Sequence, residues 1–370
     1  MNYFKKIKLG VVTTWNTKCG ISTYSQYLVD DLKKKIFIKI FANNDDILQI
    51  KIDEDFVKRC WQKTSDNLDN LFFTICEEKV NIILFQFSSL FFKVKPFFNL
   101  IKKLKDKNIK MLITFHSFNE VLIQKMKEVL NFFDVLIVHK KEDAEYLKLM
   151  GFKRINLIPH GIKKINKKEM CFCNIKTQRF FLKKYPIIGS FGFLLPHKNI
   201  KSIIKAINLL KIKYKDILYL GLHSFYNSPY SLNYYADIYK YIKSNNLQNN
   251  IHIITDFLKE EVILSILKQC DILIFPYANI SESVSGAIRF AILSEKPIIT
   301  TNIDIFSDVK NYVYQIRNSN EKTIAIAIEK IIKNKKLNNY LIKKSKEACG
   351  INLWENIAEN YLKSIIASLD

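Results

Sequence analysis

The chain has no apolar run approaching the roughly 18–20 residues that cross a bilayer. Its opening, MNYFKKIKLGVVTTW, has neither an h-region nor a small-residue cleavage site and passes straight into a strand-like run. Both absences argue for a cytoplasmic protein. A G-x-G-x-x-G fingerprint is also missing, which removes support for a nicotinamide or flavin cofactor. Metal-ligating sets are scarce. The seven cysteines are an odd number, mostly in apolar contexts such as Cys76 and Cys270. Cys171-x-Cys173 is the only close pair, and adding His160 still leaves zinc one ligand short, so reduced structural thiols are expected. Asp53-Glu54-Asp55 holds the single literal Asp-x-Asp. It lies in a charged stretch with no long apolar strand before it and reads as a solvated loop. No metal is assigned.

Acidic residues are nearly absent from the middle of the chain. Residues 151–215 hold 16 basic side chains and only Glu169, against 25 basic and 18 acidic in 1–150, and 17 and 16 in 216–370. The net charge of +23 is therefore concentrated where two domains would meet. Such a field attracts phosphate-bearing substrates or an anionic membrane. A lysine-rich composition explains the number of lysines better than it explains their clustering.

What is present is a repeating rhythm. At 370 residues the chain is long enough for two α/β domains. Apolar strands are expected at 8–13, 36–41, 82–87, 110–115, 135–139 and 154–158, with helices at 22–34, 97–107, 121–132 and 142–150 between them. The lysine-dense stretch 163–184 breaks the pattern. It resumes with strands at 187–191, 217–222, 251–254, 271–275 and from 296. The helices here fall at 200–210, 234–245, 260–268, 287–293 and 321–333, and a terminal amphipathic helix spans 352–369. Buried strands alternating with helices imply parallel sheets covered on both faces.

Several junctions could carry chemistry. The loop Pro276-Tyr277-Ala278-Asn279-Ile280-Ser281-Glu282-Ser283-Val284-Ser285-Gly286 joins a buried strand to a helix and carries one acid, three serines and a glycine. Unpaired N–H groups at such a junction suit a phosphate, although taken locally a helix start capped by Ser283 or Ser285 is the simpler explanation. Trp15 to Tyr24 holds Gly20 just before a helix, where a ligand can approach the backbone. Gly192 to Asn199 places Lys198 at a loop-to-helix junction, a suitable counter-ion for a diphosphate. His116 ends a strand at the sheet edge where ligands bind, and His139, His160 and His197 have similar claims on position. Residues 91–110 mix aromatics with seven lysines and one acid. That helix could lie on an anionic membrane or turn its apolar stripe to its own sheet.

These elements, in this order, resemble the retaining glycosyltransferases of the GT-B fold, family 4, over nearly the whole chain. Trp15…Cys19-Gly20-Ile21…Tyr24 looks like the family's glycine loop, and Ile158-Pro159-His160-Gly161-Ile162 is similar to its interdomain turn. Phe191-Gly192-Phe193…Lys198 resembles the donor diphosphate loop, and Asp271 to Glu282, on to Pro297, its signature region. The Trp354 helix resembles the segment that crosses back onto the first domain. The resemblance implies two tandem Rossmann-like doubly wound parallel-sheet domains with an interdomain cleft. Their expected bounds are 1–165 for the acceptor domain, 166–184 for a basic linker, 185–350 for the donor domain and 351–370 for the returning helix.

It further implies that Glu282 contacts the donor sugar and that His116 stands near the transferred sugar. Ser283, Val284, Ser285 and Gly286 would offer backbone donors, and Lys198 would neutralise the leaving diphosphate. Gly20 and Gly192 would allow close approach. Two positions depart from the pattern. Phe290 stands where a second acid would bind the ribose, and Phe193 where an arginine usually accompanies the lysine, leaving Arg289 or His197 to compensate. The expected activity is metal-independent, cofactor-free transfer from a nucleotide diphosphate sugar to an acceptor hydroxyl on a lipid-linked or surface glycan. The protein would be cytoplasmic, with peripheral attachment to the membrane's inner face through residues 91–110, and would have no nucleic-acid partner. Alternatives are a GT-B nucleotide-sugar epimerase and a non-catalytic basic protein binding membranes or anions.

Overall fold

Strands such as IILFQF at Ile82–Phe87 bury every side chain, which only a sheet covered on both faces provides. A computed structural model describes residues 7–50, 52–163, 186–226, 228–278 and 282–369. The expected linker 166–184 and the Cys171/Cys173 pair lie outside the described residues. The chain divides into two units, the first comprising Met1–Lys163, Ser281–Val284 and Asn352–Asp370, the second Lys164–Ile280 and Ser285–Ile351.

The first unit is built on β1 (Lys8–Thr13), β2 (Phe37–Asn43), β3 (Val57–Trp61), β4 (Ile82–Phe87), β5 (Lys110–Phe115), β6 (Val135–Val138) and β7 (Ile155–Leu157). They form one parallel sheet in the order β3-β2-β1-β4-β5-β6-β7. Alternate residues of β4 enter different cores. Ile83, Phe85 and Phe87 face one, with the helices Asp69–Glu77 and Val94–Asp106, while Ile82 and Leu84 face another, with Gly20–Leu32 and Trp354–Ala367. The turn before residue 163 is tied to the terminal helix. Ile162 N–H donates to the Asn352 carbonyl at 2.8 Å, and a Cβ on Gly161 would stand 2.4–2.9 Å from the Trp354 indole.

The helix Val94–Asp106 turns Phe97, Leu100, Ile101 and Leu104 inward at helical spacing and leaves Lys95, Lys102, Lys103, Lys105 and Lys107 exposed. Its apolar stripe is thus taken up by its own sheet, and the face it turns outward is mostly lysine. No helix among the described residues is long and apolar enough to cross a membrane.

The second unit carries β8 (Ile187–Phe193), β9 (Leu218–Ser224), β10 (Ile251–Ile254), β11 (Ile272–Phe275), β12 (Ile298–Thr301) and β13 (Tyr314–Ile316), parallel throughout in the order β10-β9-β8-β11-β12-β13. In each sheet the order reverses beside the first strand, between β1 and β4 and between β8 and β11. Connections leave such neighbouring strands in opposite directions across the sheet, opening a crevice at their C-terminal ends.

Candidate functional site

In the second unit, the reversal brings together the two loops singled out in the sequence. β8 ends at Gly192 and Phe193 and runs into the 3-10 turn Pro196–Lys198, while β11 runs into Pro276 and Tyr277. The loops are joined directly, with Ala278 N–H donating to the His197 carbonyl at 2.8 Å. Gly192 has φ +143°, a conformation that side-chain-bearing residues rarely adopt. A Cβ there would lie 3.7 Å from the Tyr277 hydroxyl and 3.8 Å from Ala287 Cβ, so glycine is required by the backbone and not by crowding. Lys198 is 8 % exposed, and its Nζ stands 3.9 Å from the centre of the Tyr277 ring. Desolvation sharpens a cation held over an aromatic face in this way.

Past this loop, Ser285 is buried and its hydroxyl meets no hydrogen-bond partner among the described residues, while exposed Gly286 leads into the helix Ala287–Leu293. Arg289, expected at the donor phosphates, is buried and donates instead to the Asp308 carboxylate. A guanidinium removed from water needs such a partner, and its charge is matched within the protein. Phe290 sets its ring against Phe191 at 5.1 Å. Phe193 meets Tyr226 at 5.3 Å and Phe257 at 6.3 Å. Both departures from the family pattern are therefore apolar packing.

In the first unit, His116 follows β5. Its Nε2 lies 2.7 Å from Gln86 Oε1, and its ring meets Tyr24 at 4.7 Å and His139 at 5.3 Å. His160 also meets Tyr24, at 5.1 Å, so three of the four candidate histidines surround one tyrosine. Burial, and after it the neighbouring His139, holds the His116 imidazole well below its ordinary range, so it is neutral at physiological pH. Residues 282–284 belong to this unit. Glu282, exposed, pairs with Ser117 in an isolated antiparallel bridge. Ser283 donates its N–H to the His116 carbonyl at 3.0 Å and its hydroxyl to Asp143 Oδ2 at 2.7 Å.

The backbones of the two expected catalytic residues are thus neighbours. Asp143, itself buried, faces Lys140 Nζ at 3.5 Å; burial pushes its carboxyl up, against the pull of Lys140 and of the Ser283 hydroxyl. Asp143 and Lys140 were not singled out in the sequence, because nothing local marks a contact to a serine 140 positions away.

Gly20 is the first residue of the helix Gly20–Leu32, is exposed, and has open space where a Cβ would stand. The acidic run after β2 is no free loop. Asp53 accepts from Arg59 Nε at 2.6 Å and Asn16 Nδ2 at 3.1 Å, and Glu54 accepts from the Trp15 indole at 2.9 Å. Arg59 holds the Asp53 carboxyl below its usual range. These acids tether the loop that precedes Gly20. Among the described residues no cluster of three or more His, Cys, Asp or Glu could hold a metal.

Comparisons with known proteins agree with this architecture. Residues 174–348 match the family described as "Glycosyl transferases group 1". None of the curated proteins compared matches the chain. Among solved structures, Anabaena Alr3699/HepE in complex with UDP has a TM-score of 0.74 at 12 % identity, covering 98 % of this chain and 100 % of that one. Sucrose-phosphate synthase (tll1590) from Thermosynechococcus elongatus has a TM-score of 0.75 at 15 % identity, covering 97 % and 98 %. A glycosyltransferase from Rickettsia africae ESF-5 has a TM-score of 0.73 at 17 % identity, covering all of both chains. At these identities the likeness is one of fold.

Proposed function

We propose that the chain is a glycosyltransferase, a reading supported by the match of residues 174–348 to the group 1 glycosyl transferases, and that it moves a sugar from a nucleotide diphosphate sugar to an acceptor hydroxyl, without a metal and with retention of anomeric configuration. The observation that carries the donor assignment is the pairing of Lys198 with the loop after β11 at the sheet reversal of the second unit. The Anabaena neighbour, solved with UDP and with UDP-glucose, supports a diphosphate-linked donor.

The chemical difficulty is charge separation. The sugar becomes oxocarbenium-like while negative charge grows on the departing diphosphate. Lys198 and the backbone N–H groups of Val284, Ser285 and Gly286 would meet that charge in place of a metal, the Ser283 N–H being already given to the His116 carbonyl. Gly192 would let the phosphates approach the backbone. Neutral His116 can accept or donate a hydrogen bond to a sugar hydroxyl, and the Glu282 carboxylate can only accept one, so the two would orient the sugar from complementary sides. Gly20 would open the start of the helix Gly20–Leu32 to the donor phosphates or the acceptor. Arg289 is assigned to bracing Asp308. The acceptor is proposed to be a lipid-linked or surface-glycan precursor, which the outward lysines of Val94–Asp106 would meet through anionic headgroups.

Turnover with a panel of nucleotide sugars, read by release of nucleoside diphosphate, tests the reading. Lys198→Ala is expected to lower kcat/KM by roughly 100- to 1000-fold, in line with loss of one preorganised charge-stabilising group. Glu282→Ala is expected to lower it while leaving nucleoside diphosphate binding in place. Wild-type rates in both variants would remove the assignment, and an inverted product anomer by NMR would remove retention.

A further inference from the structure

Gln86 is the one polar residue of the buried strand IILFQF. It falls on the face that Ile82 and Leu84 turn into their core, where alternation calls for a third apolar side chain. It is fully buried, and a buried amide is costly unless it is bonded. Its bond goes to His116, with Oε1 standing 2.7 Å from the imidazole Nε2. The pairing of β4 with β5 sets Gln86 beside Thr114, whose hydroxyl is 2.9 Å from Tyr361 OH, itself 2.9 Å from Tyr24 OH. Tyr24 then meets His116 edge-on, at 4.7 Å and 80°.

Ring packing alone does not decide which nitrogen points where. Tyr24 and His139 hold the plane of the imidazole. Turning the ring over, however, exchanges nitrogens for carbons of nearly equal size, which packing does not distinguish. The bond to Gln86 makes the choice. It occupies Nε2 and leaves Nδ1, which has no bond among the described residues, on a side chain that is only half-buried. A carbonyl oxygen only accepts, so Nε2 carries the proton of the neutral ring and Nδ1 keeps its lone pair.

An amide is the partner suited to this task, because a carboxylate in its place would draw a second proton onto the imidazole. No carboxylate is bonded to the ring. The titratable groups facing it are Tyr24, from the helix Gly20–Leu32, and His139, whose own Nδ1 donates to the Ile158 carbonyl at 2.8 Å. Glu282 bridges to Ser117 along the backbone, and Asp143, with Lys140 beside it, takes the Ser283 hydroxyl.

We propose that Gln86 is a positioning residue for sugar transfer: its amide holds Nε2 of His116 and so presents Nδ1, as a hydrogen-bond acceptor, to a hydroxyl of the transferred sugar. This rests on the role given to His116 above and narrows it to recognition of a hydroxyl that donates.

Two substitutions separate positioning from packing. Gln86→Glu keeps the size and, at high pH, an oxygen that accepts from Nε2–H. As pH falls the carboxylate–imidazole pair takes up a proton, and Nδ1 ceases to be a free acceptor. Gln86→Leu has no acceptor at any pH. Release of nucleoside diphosphate from the best donor of the nucleotide-sugar panel is measured on the full chain, each variant against wild type at the same pH, with thermal melts confirming that it is folded. Gln86→Glu is expected within about threefold of wild-type kcat/KM at about pH 9 and at least about tenfold below it at about pH 6. Gln86→Leu is expected about tenfold below wild type at both, the scale of one lost hydrogen bond. Ring nitrogen NMR of the wild type, with the His116 signals assigned by their loss in His116→Ala, is expected to show the proton on Nε2. A loss in Gln86→Glu that does not change with pH, or a proton on Nδ1 in the wild type, overturns the proposal. If no donor turns over, or if His116→Ala matches wild type, the role of His116 falls and this inference with it. A defect in His116→Ala with none in Gln86→Leu removes the inference alone.

Discussion

At the scale of single residues, the most consequential partnerships join positions far apart in sequence. Phe290 and Phe193 were visible as departures from the family pattern, but their partners Phe191 and Phe257 were not. Arg289 showed as a basic residue near the right place. Only the fold reveals Asp308, 19 positions on, as its counter-charge. Ser190 Oγ lies 2.5 Å from Tyr219 OH and 2.6 Å from His223 Nε2, a buried triangle that spans 29 and 33 positions and leaves no local signature. Its titration is testable. The folded pKa of His223 lies at about 3, below the ordinary 6.5, and that of His116 is lowered in the same direction. In both, the unfolded chain takes up the proton first, so stability is intact above about pH 6.5 and is lost as pH falls below it. Urea unfolding midpoints should drop between pH 6.5 and 4, following a loss of unfolding free energy of up to about 1.4 kcal/mol per pH unit for each histidine. His223→Asn should make that loss shallower, and an unchanged slope would contradict a neutral His223 in the native state.

At the scale of elements, apolar runs were legible and charged ones were not. Lys110–Phe115, Ile251–Ile254, Ala287–Leu293 and Glu321–Lys333 fall where the sequence pattern puts them. β3 was missed because VKRCW sets Lys58 beside Arg59 and buries only Cys60 and Trp61, so no two-residue period marks this edge strand. Lys335–Cys349 was missed because KKLNNYLIKKSKEAC buries only Leu341, Ser345 and Ala348, too few for a clear helical period. Asparagine caps its start, Asn334 accepting from Leu337 N–H at 3.0 Å. The turn Pro159-His160-Gly161 shows how tightly elements can be fitted. Gly161→Ala would drive a methyl into the Trp354 indole. Overpacking of this kind costs about 1–3 kcal/mol. The expected readout is a lower melting temperature with red-shifted tryptophan emission as Trp354 leaves its site. Unchanged emission would mean that the turn yields instead.

At the scale of the molecule, the chain returns to its first unit after completing the second. Trp354, Ile357, Tyr361, Leu362 and Ile365 fill the core that Gly20–Leu32 also lines. Tyr361 adds a buried hydroxyl chain, 2.9 Å to Tyr24 and 2.9 Å to Thr114. Each apolar side chain of this kind contributes about 1.5–3 kcal/mol when buried, and together they rival a domain's whole stability of about 5–15 kcal/mol. A chain ending at Ile351 should therefore lose hydrogen-exchange protection in β1, β2 and β4 while keeping it in β8, β9 and β11. Protection retained in both sheets would show that the terminal helix is dispensable.

The glycines of the family-like motifs also divide by what holds them in place. Gly161 is demanded by an indole, so it would persist in a descendant that folded without catalysing anything. Gly20 meets no such obstacle. Drift at Gly20 beside an intact Gly161 would be the mark of a lineage that kept its architecture and gave up its reaction.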